Sequence, residues 1–79
     1  LAKYKEALRE VSIMLELSPD NPVLNYIRAD IALKQGDAAT LQAILEKLES
    51  MAGRETAPGE ASRALNALKK LVAQSSGNR

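Results

Sequence analysis

Cysteine and histidine are both absent from the 79 residues, which removes disulfides, thiolate metal sites and the side chains most used as nucleophiles and proton shuttles near neutral pH. A chain this short makes at most one small domain, and without those staples its stability must come from helix packing. Tryptophan and phenylalanine are missing too, leaving two tyrosines as the only aromatic residues. No apolar run approaches the roughly 18 residues of a membrane span, and no signal-peptide pattern opens the sequence. Membrane insertion is therefore not expected. The apolar content that remains is Leu, Ala, Ile, Val and Met, a mixture that favours helix over sheet.

Charge is nearly balanced at +1 but unevenly placed. Residues 1–50 carry six basic and eight acidic side chains, and residues 51–79 carry five basic and two acidic. The mildly basic second part favours an acidic partner if it favours any. It lacks the dense basic stripe with interleaved aromatics that nucleic-acid binding uses, so no nucleic-acid partner is expected.

Hydrophobic spacing predicts an all-α fold of four antiparallel helices at about 2–17, 22–35, 37–52 and 59–73, with a helical domain over 1–74 and a flexible tail at 75–79. In the first helix Tyr4, Ala7, Leu8, Val11, Met14 and Leu15 recur at steps of three and four, with Ile13 and Leu17 widening the face. Pro19 ends it, since proline lacks an N–H and clashes with the preceding turn. Asn21 is positioned to cap the second helix, with Pro22 in its first turn. Apolar residues cover most of that helix, so it should be sandwiched. Gly36 supplies a left-handed exit and Asp37 caps the third helix at once. The third helix shows Leu41, Ile44, Leu45, Leu48, Met51 and Ala52 on one face, with Glu46, Lys47 and Glu49 expected in water. Ala61, Ala64, Leu65, Leu68, Leu71 and Val72 give the fourth its apolar face.

The helices alternate in type. A shift of 34 places Val11 on Leu45, Met14 on Leu48, Leu17 on Met51 and Pro19 on Gly53. A shift of 35 lays "RADIALK" (28–34) on "RALNALK" (63–69), with five of seven residues identical. On "YKEALREVSIMLELSPDNP" and "NYIRADIALKQGD" the chain resembles the tetratricopeptide repeat, a helix–turn–helix unit, well over about residues 3–52 and more loosely over 60–72. Ala7 and Ala29 match the family's small positions, Val11 a large apolar one, and Pro19 the terminating proline. The pattern departs at Asn25 and Arg28, where large apolar residues are common. It departs again at Ala32, Leu41, Leu48 and Gly53. Such degeneracy is frequent in bacterial members. The resemblance implies one and a half to two repeats, beginning on a second helix at a non-methionine residue, and hence a piece of a longer protein. It leaves the compartment open between the cytoplasm and a bacterial periplasm.

No catalytic constellation stands out. With neither His nor Cys, an acid–base or nucleophilic pair would have to come from Ser, Lys, Asp or Glu. Glu46 and Glu49 belong to a polar helix face, and Asp20, Asp30 and Asp37 lack calcium-loop spacing. "APGE" and "SSGN" are too short to cradle a phosphate. No enzyme activity, metal or cofactor is expected. By the resemblance, the first helix of each repeat lines a concave groove, which here assigns Val23, Tyr26, Asp30, Leu33 and Lys34 to a partner-binding surface. Arg63, Lys69 and Lys70 form a possible secondary site for an anionic partner. Members that clamp the C-terminal carboxylate of a chaperone peptide use lysine and asparagine where this chain has Tyr26 and Asp30, so that mode is not expected. The expected function is protein–protein interaction or assembly scaffolding, with a protein or peptide partner of unspecified identity. Two alternatives are self-association into a homo-oligomer through the open terminal face, and an accessory domain of a larger enzyme.

Overall fold

The structure, a computed structural model, describes residues 2–77 and is all-helical among them: α1 (Ala2–Leu17), α2 (Pro22–Gln35), α3 (Ala38–Gly53) and α4 (Glu60–Gly77). The punctuation works chemically as read. Asn21 Oδ1 accepts the amides of Val23 (3.0 Å) and Leu24 (3.2 Å), and Pro22 occupies the first turn of α2. Gly36 lies at φ 73°, where a side chain is strained. Its amide donates to Leu33 O at 3.2 Å and that of Asp37 to Ala32 O at 2.8 Å, a Schellman closure. Asp37 then accepts the Thr40 amide (3.2 Å) and hydroxyl (2.6 Å), so α3 starts one residue after α2 has been closed off.

α2 is the hub, in contact with all three other helices, and α3 and α4 also pack on each other. α1 touches α2 alone among the helices. The principal core gathers Ala29 from α2, Ile44 and Leu48 from α3, and Leu65 and Leu68 from α4. Ala29 is fully buried at their meeting point, where its small side chain lets three helix axes converge. Val11 of α1 is buried, as are Ile31 and Ala32 of α2.

Burial along α1 departs from the pattern, and two expectations are corrected. Met14 belongs to the apolar face of α1 yet is 44% exposed, beside Ile13 at 53% and Leu17 at 83%. The equivalent of Met14 in α3, Leu48, is fully buried because α3 has α2 and α4 over it, whereas α1 has one neighbour. Lys47, expected in water, is half-buried and crosses to the α1–α2 loop, where its Nζ donates to Pro19 O at 2.6 Å and pairs with Asp20 at 3.6 Å. The fourth helix runs through residues 75–77, taken from sequence as tail, since nothing between Val72 and Ser76 breaks a helix. The rest of that expected tail, 78–79, lies outside the described residues.

Candidate functional site

A side-chain staple at the start of α2 and a helix cap at the start of α4, both invisible to simple pattern reading, set the frame of the site. The α1–α2 loop is tied down by Asn25, which is 3% exposed and donates through Nδ2 to Asn21 O (2.8 Å) and Pro19 O (3.1 Å). Asn25 thus acts as a polar staple, which fixes the loop entering α2. At the start of α4 the cap comes from Glu55 in the preceding loop. Its carboxylate accepts the amides of Gly59 (3.0 Å), Ala61 (3.0 Å) and Ser62 (3.3 Å), and the Ser62 hydroxyl at 2.7 Å. The Ser62 hydroxyl, and after it the amides, hold the Glu55 carboxyl below the ordinary glutamate range. Gly59 makes room for this: a Cβ there would stand 2.9 Å from a Glu55 carboxylate oxygen.

With both starts fixed, α2 and α4 lie side by side and run the same way, and a furrow follows their junction. At its beginning Val23 and Tyr26 face Glu60, Arg63, Ala64 and Ala67 across a hollow of about 290 Å³. At its far end Asp30, Leu33 and Lys34 face Leu71, Gln74 and Ser75 across a second hollow of about 290 Å³. The five α2 residues assigned to the groove from sequence divide between these two hollows on the α2–α4 junction, Val23 and Tyr26 in the first and Asp30, Leu33 and Lys34 in the second, and Arg63 joins the first from α4.

The first hollow is apolar at its base. Ala64 and Ala67 are short, so they leave a notch opposite Tyr26, and Val23 is 51% exposed at its edge. Tyr26 also packs on the core cluster, so the same ring supports the fold and walls the notch. Asp30 and Lys34 pair with each other at 2.6 Å across one helical turn, an acid-before-base order that suits the helix dipole. That hydrogen bond raises the Lys34 pKa above its ordinary value. The two were expected to meet polar groups of a partner; in this structure they satisfy one another first.

The proposed secondary cluster divides. Arg63 stands in the furrow; Lys69 turns toward α3 and reaches Glu49 at 3.9 Å; Lys70 is exposed, one heptad beyond Arg63. A step of 100° per residue separates Lys69 from Lys70, which explains why three nearby cations do not form one patch.

Against protein-family models, curated proteins and solved structures, the chain has no match.

Among the described residues no cluster of three or more acidic side chains has metal-site geometry, and no helix is long and apolar enough to cross a membrane. The furrow offers apolar surface and hydrogen-bonding groups along two parallel helices. Its charges, Asp30 with Lys34 and Glu60 with Arg63, cancel in sign along its length.

Proposed function

We propose that this chain is a non-catalytic protein-interaction module of the tetratricopeptide-repeat type, which holds a peptide segment of a partner in the α2–α4 furrow. The observation that carries the reading is the α2–α4 junction: five α2 residues and the facing side of α4 line two open hollows placed in succession along it, the first of them apolar. An open track suits a peptide better than a compact small molecule, which is normally enclosed on most sides. The notch between Tyr26 and the two alanines takes one bulky apolar side chain of the partner. The balanced charges beyond it give no strong preference for an acidic or a basic peptide. Two further facts support the family reading: the helix-to-helix contacts follow an alternating stack, and the offsets of 34 and 35 link its two helix types.

Val23→Glu and Ala67→Glu place charge in the notch at exposed positions, which spares the core that a Tyr26 truncation would damage. Affinity capture from source-cell lysate should recover a discrete partner with the native chain and lose it with either variant, at unchanged helicity by circular dichroism. Equal capture by native chain and variants would contradict the reading.

A second reading rests on a different observation, the Ile13, Met14 and Leu17 side chains standing exposed on α1. They favour self-association through that face. Three side chains offer far less than the roughly 800 Å² per partner of a typical stable interface, so the dimer would be weak. Sedimentation velocity over a concentration series should then show a dimer that Leu17→Glu abolishes, whereas a monomer throughout would dispose of it.

A further inference from the structure

On the side of α2 away from the furrow, α1 and α3 stand apart, and a polar cleft of about 360 Å³ opens between them. Its floor is Asn25 and Arg28 of α2; Ser12, Leu15 and Glu16 of α1 form one wall and Lys47 of α3 the other. At 100° per residue, positions 25 and 28 point roughly opposite to 23, 26, 30 and 33, so the cleft and the furrow occupy different faces of one helix.

Arg28 is the unusual residue here. Its side chain is half-buried, yet it forms no ion pair within 4.0 Å among the described residues. Its Nε is sealed from solvent with no hydrogen-bond acceptor, the sole buried side-chain nitrogen or oxygen in that condition among the described residues. Leaving such a donor unsatisfied costs more than a made bond returns, and more again when the group is charged. The neighbouring cation does not relieve it. Lys47 donates one N–H to Pro19 O and stands 3.6 Å from Asp20 as an ion pair, which leaves it further N–H donors. Glu16 lines the cleft but is exposed and forms no ion pair with either cation.

We propose that this cleft binds an oxyanion, held by the Arg28 guanidinium and the Lys47 ammonium, with the Ser12 hydroxyl as a further donor. A guanidinium offers parallel N–H groups that match a carboxylate or a phosphate, and a small turn of the side chain brings Nε to the same acceptor. The ligand supplies an acceptor within hydrogen-bond reach of Arg28, which Glu16, on the wall of the same cleft but in no ion pair with it, does not. It also bridges two helices that do not otherwise touch, so binding should stiffen α1 against the rest of the molecule. The two sources of such a group are a free inorganic anion and a carboxylate side chain of a polypeptide.

The test is an NMR titration of the whole chain that follows the Arg28 Nε–Hε cross-peak and the backbone amides of Ser12, Asn25 and Lys47. One arm uses inorganic phosphate, another N-acetyl-glutamate amide, each against sodium chloride at matched ionic strength. The expected result is a saturating shift of the Arg28 peak at millimolar ligand in at least one arm, with the Arg9, Arg54 and Arg63 side chains unmoved. The arm that saturates at lower concentration names the source. Lys47→Met should weaken saturation by about tenfold, the loss of one charge-assisted bond. Ser12→Val, which alters the other wall without touching a cation, should weaken it less. Linear shifts in both arms, shifts shared with chloride, or equal movement of all arginine peaks would overturn the proposal. So would unchanged saturation in a folded Lys47→Met variant.

Discussion

At the residue scale, single side chains carry tasks that a larger protein spreads over many. Asn25 is the clearest. Buried and bonded to two carbonyls of the α1–α2 loop, it orders the entry to α2 by adding a second donor to the Asn21 oxygen, which also takes the Asn25 amide, and to the Pro19 oxygen, which also takes Lys47. Asn25→Ala should lower stability by about 1 kcal/mol, the usual net loss for hydrogen bonds whose acceptors keep another donor. The urea midpoint should fall with an unchanged slope. Gly36 is the second such residue: at φ 73°, a Cβ meets no neighbour but strains the backbone. Gly36→Ala should therefore cost about 1–2 kcal/mol, read in the same way. Sequence spacing alone reached Asn21, Gly36 and Asp37, because caps act within three residues of themselves. It did not reach Asn25 or Lys47. Asn25 interrupts an apolar stripe and looks like a defect until the loop folds back over it, and the partner of Lys47 lies 28 residues away.

At the element scale, α4 depends on a cap that comes from outside it. Glu55 satisfies the first amides of the helix, and its carboxyl titrates below the ordinary glutamate range because those donors favour the charged form. A carboxyl lowered in the folded state stabilises fully above its unfolded pKa, about 4.3. That contribution is lost as pH falls through the lower folded value. Asp37, held down by the Thr40 hydroxyl and amide, behaves likewise at the start of α3. Stability should thus fall on acidification below about pH 4. The gap between native chain and Glu55→Gln, read by denaturant unfolding, should narrow over the same range. A constant gap would mean that the carboxylate charge is immaterial to the cap. Gly59→Ala should mimic part of the loss at neutral pH, since its Cβ displaces the Glu55 carboxylate. The capping pattern was hard to see in sequence because Glu55 sits five residues before the helix, inside "GRETAPGE", which reads as an ordinary loop.

At the scale of the whole molecule, stability is graded. α2, α3 and α4 share one core, while α1 rests on α2 alone. Backbone amides of α1 should exchange with solvent faster than those of α3, since opening α1 exposes one helical interface rather than two. Equal protection in both would imply a cooperativity that this packing does not provide. The four helices and their order were legible because period and punctuation agreed along nearly the whole chain. The resemblance assigned five α2 residues to a groove; the structure sets two of them in one hollow on the α2–α4 junction and three in another. What spacing could not convey was the end effect: Met14 and Leu48 share a phase in the pattern but not a burial, since burial depends on how many neighbours a helix has. Nor could it separate Lys69 from Arg63 and Lys70, which required knowing which side of α4 faces α3.

The central claim is that the α2–α4 furrow is where a partner is held. Its most direct test is site-specific photo-crosslinking in source-cell extract, with the reactive side chain placed at Val23 in the notch and, separately, at the exposed Gln42 on α3. The account predicts a discrete protein adduct from position 23 that is absent from position 42 and is suppressed by Ala67→Glu. Identical adducts from both positions, or none from position 23, would contradict it.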